Sequence, residues 1–349
     1  MPPMIRRMVK TGKLGYLWVT RILLAPNRFR VPLLTRLRLA VFGGFIGDQH
    51  VLYDLKNRSK REYLSEFDWY RSRWINEPFD AMLNNKIICN EVLQPHINVS
   101  PILFVKNKRR LVRHGAGRTR VSTADVVQGI RDHGSFFMKP LTAGKGKGVH
   151  RLDAVDGRLF VDEAEMTEAE LVAFLDGQSD WFLTETVAQH PDLAAIFPRT
   201  SNTIRLITMR TGDGGAQPFF AVLRIGTADT VPVDNGSRGG LVAKIDIDSG
   251  VLSEARTLWS QGVHRVHPNS GAPIEGTVVP RWQEVVDSAL RVADEFPFLQ
   301  FVAWDFLVGE DDIWVIEANT SSGVNIVQLW GGQRYGQLGD FYRAHEVIK

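Results

Sequence analysis

The chain has 349 residues, 44% hydrophobic and 23% charged, enough to bury a large core and too long for one simple pair of layers, so two or three subdomains are expected. Its one cysteine, Cys89, excludes an intramolecular disulfide and reads as a packed core residue; no Cys/His cluster has zinc-site spacing, and a reducing cytoplasm fits best. The formal charge of +3 conceals an asymmetry: nine of the 42 Lys and Arg lie in residues 1–40, which hold no Asp or Glu, leaving 33 basic against 39 acidic residues in the remainder.

The basic head carries Arg6, Arg7, Lys10, Lys13, Arg21, Arg28, Arg30, Arg36 and Arg38. Between them sit Leu14, Tyr16, Leu17, Trp18, Val19, Ile22, Leu23 and Leu24, and the apolar run Leu39 to Ile46 follows. Arg21 breaks the best apolar stretch, so no segment reaches the ~18–20 residues of a membrane span. A signal peptide fits poorly, because no small-residue cleavage site follows a clean apolar region. Two readings of residues 1–46 stand: an amphipathic segment lying on an anionic membrane surface, or a basic helix that is packed on the core or poorly ordered. No nucleic-acid-binding module accompanies the charge. The protein is expected in the cytoplasm, peripheral on the inner face of the membrane under the first reading.

Residues 60–76, with Tyr63, Leu64, Phe67, Trp69, Tyr70 and Trp74, read as one aromatic amphipathic helix ended near Pro78. Asn84 and Asn85 can cap the next helix, from Lys86 to Leu93, which Pro95 stops. From Pro101 the pattern turns to short strands: Ile102 to Val105, Leu111 to Val112, Phe136 to Pro140 and Trp181 to Val187. Ser122 or Thr123 caps a helix through Ile130, and Thr167 with Glu170 forms a capping box for another ending near Asp176. Later strands are Thr203 to Met209, Phe219 to Ile225, Leu241 to Ile247, Phe301 to Val308 and Ile313 to Ala318, with a core-facing helix over Trp282 to Phe296. Few helices separate the later strands, which implies hairpins and a mostly antiparallel sheet, hence an α+β fold rather than a doubly wound one. His264 and His267 lie close together, but with no further ligand nearby they read as ordinary surface histidines rather than a metal pair.

The segment FVAWDFLVGEDDIWVIEANTSSG, Phe301 to Gly323, is the most informative. A three-residue turn at Glu310, Asp311 and Asp312 sets Leu307 against Val315 and Asp305 against Glu317, with Asn319 on the same face. Directly opposed carboxylates among apolar neighbours repel. A divalent cation removes that cost, and two carboxylates with an amide oxygen suit Mg²⁺ or Mn²⁺. Arg224 lies on the strand FFAVLRI among apolar neighbours and needs an anionic partner, such as a phosphate or acyl phosphate. Arg205 in NTIRL reads either as a substrate or phosphate contact or as a structural salt bridge. FFMKPLTAGKGKGV ends an apolar strand at Lys139 and enters a loop with Gly144, Gly146 and Gly148; neither Walker A nor GxGxxG spacing is present.

A strand acid followed by a strand ending Glu-Ala-Asn-Thr and a Ser-Gly turn resembles the metal site of D-alanine:D-alanine ligase and other ATP-grasp enzymes, and order and spacing agree over roughly residues 80–330. The SNTIRL and DNGSRGGL segments most resemble the sugar-transfer-associated branch of that family. The resemblance implies two α+β subdomains gripping ATP, here 86–190 with the glycine-rich loop and 191–349 with the metal site, after a helical region at 1–85. It makes Lys139 and the loop, with Lys145, a grip on phosphates. Lys86 corresponds to the first ATP lysine. Glu185, Thr186 and Val187 are implied at the adenine edge, and Asp192, ahead of Gln189 and His190, at the ribose. Asp305, Glu317 and Asn319 would hold Mg²⁺, and Asn235 to Gly240 with Lys244 resembles the mobile loop near the γ-phosphate. Arg205, Arg238, Ser321, Ser322 and Asn325 are the substrate wall, with Arg224, Arg205 and Lys244 in the chemistry. The implied activity is a carboxylate ligase that forms an acyl phosphate and passes it to an amine or hydroxyl, the acceptor being sugar-linked, as in polysaccharide or glycan-precursor synthesis. A small-molecule or sugar kinase on this fold, and a non-catalytic glycan- or membrane-binding module, are the alternatives.

Overall fold

A computed structural model describes residues 3–115, 119–142, 146–212 and 214–349. The head is helical: α1 (Pro3–Leu17) runs into a π-helical turn (Trp18–Leu23), followed by α2 (Leu33–Val41), α3 (Gly47–Leu52), α4 (Glu66–Ser72) and α5 (Asp80–Asn84). The single helix expected over 60–76 is therefore split. Ser65 caps α4: its Oγ accepts from Asp68 N–H and the Asp68 carboxylate accepts from Ser65 N–H, a reciprocal box that fixes a helix start in the middle of the aromatic run. Leu64, just before it, drops into the core.

In α6 (Lys86–Leu93), Asn85 Oδ1 accepts from the N–H groups of Ile87 and Ile88, both at 3.1 Å. Cys89 and Leu93 then pack with Val315 and Ala318, so the helix that carries Lys86 lies against the last strand of the molecule. Burial pushes the Cys89 thiol up to about 11, and the residue is a packed one.

The first sheet comprises β1 (Ile102–Asn107), β2 (Arg110–Arg113), β3 (Ser135–Pro140), β4 (His150–Val155), β5 (Arg158–Val161), β6 (Ala164–Met166) and β7 (Trp181–Glu185), in the order β2-β1-β7-β3-β4-β5-β6 and antiparallel throughout. Capping boxes Ser122–Asp125 and Thr167–Glu170 start α7 (Thr123–His133) and α8 (Glu168–Gly177). Their apolar faces cover Phe104, Phe136, Met138, Leu152 and Leu183. The two-residue strand period leaves Phe137, Lys139, Phe182 and Thr184 on the opposite face.

After α9 (Pro191–Ile196), the second sheet is built from β8 (Thr203–Met209), β9 (Gln217–Ile225), β10 (Leu241–Ile245), β11 (Leu252–Thr257), β12 (Val263–His264), β13 (Phe301–Val308) and β14 (Ile313–Asn319), again antiparallel, in the order β12-β11-β10-β9-β8-β13-β14. The sequence reading names neither β11 and β12, because LSEART and VH carry little apolar pattern, nor β4, β5 and β6 of the first sheet, where charged residues interrupt the runs HRLDAV, RLFV and AEM. On one face α10 (Trp282–Glu295) buries Trp282, Val285, Val286, Ala289, Val292 and Ala293 at helical spacing. The other face meets Leu64, α11 (Val324–Val327) and α12 (Gln337–Ala344) at one end and the open site at the other. β13, covered on both faces, is buried at all eight positions.

The β13–β14 hairpin corrects one expectation and keeps another. Its loop has four residues, Gly309 N–H donating to Asp312 O (2.8 Å), so Leu307 faces Trp314, not Val315. A one-residue bulge at Ile316 then restores the register, and Asp305 stands opposite Glu317 as expected.

Candidate active site

Strand register assembles a charged row across the second sheet. Asp305 on β13 lies opposite Arg205 on β8 and Glu317 on β14, and Thr203 lies opposite Arg224 on β9. Arg205 grips Asp305 with both arms, Nε to Oδ1 and Nη2 to Oδ2 at 2.7 Å each. Arg224 Nη1 donates to the same Oδ2 (2.8 Å), and its Nη2 donates to Asp234 Oδ1 (2.6 Å). Asp234 Oδ2 accepts in turn from the N–H (2.9 Å) and hydroxyl of Thr203. Burial works against ionisation of Arg224 and Asp305 alike. The paired charges outweigh it, raising Arg224 and lowering Asp305 from their ordinary values. On the far side of Asp305, Glu317 Oε1 accepts from Lys86 Nζ at 2.9 Å. The repulsion expected between the opposed carboxylates is thus met by protein cations: two guanidiniums on Asp305 and an ammonium on Glu317.

The first sheet faces this row across a cavity lined by Phe137, Lys139, Phe182 and Thr184 on one side and Leu307, Val315, Asp305 and Glu317 on the other. Lys139 has no hydrogen-bond or ion-pair partner among the described residues. Burial lowers its pKa to about 8; Glu317 opposes the fall and Lys86 adds to it. Thr184 Oγ1, also in the lining, is buried without a partner. A half-buried cation without a partner and a buried, orphaned hydroxyl in one cavity are the mark of a site shaped for an anionic, hydrogen-bonding ligand. Gly146 and Gly148 take left-handed φ of 66° and 67°, which lets the loop turn over the cavity, and Arg238 Nη1 donates to Gly146 O at 3.1 Å. At the cavity's edge the Val187 N–H has no partner among the described residues, whereas Thr186 N–H donates to Ser135 O (3.0 Å) and Glu185 pairs with His133 at 3.2 Å.

The profile of the sugar-transfer associated ATP-grasp family matches residues 69–337. The chain belongs to that family. No curated protein sequence matches it. Among solved structures, this ATP-grasp chain is similar to D-alanine-D-alanine ligase from Helicobacter pylori (12% identity, 75% of this chain and 61% of that one, TM-score 0.41). It is similar also to N5-carboxyaminoimidazole ribonucleotide synthetase in its ADP complex (14%, 69% and 46%, 0.40) and to D-cycloserine synthetase (14%, 78% and 74%, 0.38). The chain spans less than two thirds of the length of the first two.

Lys86, Lys139, Gly146, Glu185, Val187, Arg224, Asp305 and Glu317 all line this same cavity of the ATP-grasp chain, and Arg205 stands behind Asp305. Gly144 and Lys145 lie outside the described residues. Other expected residues lie elsewhere. Asp192 is exposed in the first turn of α9, where it answers the helix N-terminus beside His190, and it is not among the residues that line the cavity. Gln189, the alternative, is spent on Thr200 O and Asn202 N–H. Lys244, opposite Val222, is exposed. Asn325 is enclosed between Gln49 (2.8 Å), Tyr53 (2.6 Å) and Glu66 (3.0 Å), a network that ties the head to the body. Ser322 is buried with its hydroxyl unpartnered, and Ser321 is half-buried beside it. His267 is buried, Nε2 on Gly226 O at 2.8 Å, and is no surface residue. Asp234 was missed; the signal available was that a guanidinium placed among apolar strands needs an acid, and DNGSRGG supplies one.

No cluster of three or more His, Cys, Asp or Glu side chains stands ready for a metal among the described residues. The oxygen donors nonetheless fit a hard cation. Glu317 is engaged through Oε1 alone, and the Asn319 side chain, two residues on, makes no hydrogen bond among the described residues. Asp305 is the third oxygen donor, with both its oxygens held by guanidiniums.

Proposed function

We propose that this ATP-grasp chain is an ATP- and Mg²⁺-dependent ligase that activates a small-molecule carboxylate as its acyl phosphate and joins it to an amine or hydroxyl acceptor. We place its product among cell-surface polysaccharide or glycan precursors. The observation that carries this reading is Lys139, a half-buried cation without a partner among the described residues, facing the Arg205–Asp305–Arg224 row across one cavity.

Lys139 and Lys86 bind phosphate oxygens, which restores to Lys139 the counter-charge that burial denies it. The apolar walls at Phe137, Phe182, Leu307 and Val315 take the base, with the free Val187 N–H reading its edge. Asp305, Glu317 and Asn319 would hold Mg²⁺ or Mn²⁺, which supplies charge stabilisation at the phosphates when bound. In the first step a substrate carboxylate oxygen attacks the γ-phosphorus and the bond to ADP breaks; in the second, the acceptor attacks the acyl carbon and phosphate leaves. Arg224 is held at the row by Asp234 and offsets the charge on the transferring group. Arg205 keeps Asp305 in register, and Arg238 fastens the glycine-rich loop.

The test is incubation with ATP, Mg²⁺ and pooled amino acids and amino sugars, read by mass spectrometry. A ligase leaves ADP, phosphate and a conjugate. A phosphorylated substrate that survives as the product would replace this reading by a kinase, and ADP release that is the same in a Lys139→Met variant would remove the site from the reaction.

A further inference from the structure

The head turns its apolar residues outward. In α2 the buried residues are Leu39 and Ala40, and Arg36 is folded inward with its Nη2 donating to Ala25 O (2.9 Å). Leu33, Leu34, Leu37 and Val41, which recur at helical spacing on one face, are exposed at 64%, 82%, 38% and 58%, and Phe42 at the helix end at 70%. A surface helix of a globular protein is built the other way round, apolar stripe inward and charge outward. The neighbouring helix and turn repeat the inversion with Met4, Met8, Val9, Tyr16, Val19 and Leu24. Twelve of the twenty exposed large hydrophobic side chains among the described residues fall between residues 4 and 42, so apolar exposure is concentrated in the head.

The segments that the sequence singles out for a membrane are in part used up by folding. Trp18, Ile22 and Leu23 pack with Ala25, Ala40, Ile46, Phe67 and Tyr70, and Leu39 and Phe45 pack with Tyr53 and Tyr63. The outward face of α2 is what remains. Charge distinguishes its occupant. No acid precedes Asp48 in the chain, and Arg30 and Arg38, both exposed, make no ion pair among the described residues. Lys10 and Arg28 are already committed to Glu77 (3.2 Å) and Asp48 (3.0 Å). A second copy of this chain would bring a like-charged head to the face, whereas an anionic lipid surface offers an apolar layer under a negative one.

We propose that the outward face of α2 inserts into the surface layer of an anionic bilayer and holds the catalytic body at the membrane surface. Leu34, Leu37 and Phe42 enter the lipid while Arg30 and Arg38 stay among the headgroups. The mildly acidic remainder is repelled by the same surface and faces the solvent. This inference is independent of the nucleotide chemistry.

Its test is cosedimentation of the full chain with phosphatidylglycerol-containing and pure phosphatidylcholine vesicles, for the native chain and a Leu34→Glu/Phe42→Glu variant. The expected result is partition at least tenfold stronger into the anionic vesicles, lost at least tenfold in the variant, with unfolding temperature and nucleotide binding unchanged. A Lys139→Met variant should bind vesicles as the native chain does, which separates this outcome from that of the ligase reading. Failure of the native chain to bind anionic vesicles at low salt, or equal binding by the double variant, overturns the proposal. So does a dimer in sedimentation velocity that the double substitution dissolves while vesicles go unbound, since the face then belongs to a second copy.

Discussion

Replacing Lys139 by Met should make the ligand-free protein more stable while it weakens the binding of ATP. Lys139 is a cation without a partner, and burial lowers its pKa from 10.5 to about 8. At about 1.4 kcal/mol per pKa unit, holding the charged form in the folded protein costs about 3 kcal/mol at neutral pH, an upper bound because the side chain borders the open cavity. The sign follows from proton binding. Below pH 8 both states carry the proton and the whole cost is present. Between pH 8 and 10.5 the folded state has released the proton and the unfolded state still holds it, so the stability of the native chain rises with pH by up to about 1.4 kcal/mol per unit. The variant has no such term. Denaturant unfolding should therefore show Lys139→Met more stable than the native chain by about 1–3 kcal/mol at pH 7, with the gap closing towards pH 10. Calorimetric titration should show ATP affinity at least tenfold weaker, about 1.4 kcal/mol. A variant that is less stable at pH 7, or a gap that does not narrow as pH rises, would refute the account of a desolvated ammonium without an ion-pair partner.

Three further outcomes are expected. Glu317→Gln breaks only a part-exposed pair with Lys86, so unfolding should shift by less than about 1 kcal/mol, while Mg²⁺-dependent ADP release falls at least a hundredfold. Asp305→Asn leaves Arg205 and Arg224 facing one another without a shared anion, and unfolding should show a loss of about 3–5 kcal/mol, much of it recovered when a phosphate ligand is supplied. Asn325→Ala opens the network of Gln49, Tyr53 and Glu66. It should cost about 2–3 kcal/mol with the KM for ATP unaltered; a changed KM at constant stability would restore Asn325 to the substrate wall.

Nine of the fourteen strands were legible because each is a short apolar run bounded by turn residues, and the helix over 282–295 because its apolar positions repeat at helical spacing, whereas β4, β5 and β6 of the first sheet and β11 and β12 of the second were not read from the sequence. Lys139 could be picked out for the same reason: a lysine ending an apolar strand before glycines is locally anomalous. What escaped was set by partners distant in sequence. Asp234 sits in a loop, and its importance exists only once β8 and β9 bring Thr203 and Arg224 to its two oxygens. Asn325 looks like a free polar residue after a Ser-Gly turn until Gln49 and Tyr53, some 275 residues earlier, close around it. Ser65 split an apparent helix because a cap competes well with an aromatic run for the same few residues. At α2 the apolar and charged positions were visible, but which side faced outward depended on where Ala25 and Ile46 had packed.

The β13–β14 hairpin contains one added residue in its loop and one compensating residue in its bulge, and neither is tolerable without the other. Were the four-residue loop kept and the ladder run on without the bulge, Ile316 instead of Glu317 would stand opposite Asp305, and Glu317 and Asn319 would turn off the site face. Loop length and bulge should thus be inherited together. Relatives that close this hairpin with a shorter turn are expected to run straight from the turn to the strand acid, twelve residues after its partner, with the count between the two carboxylates unaltered only where both features change at once.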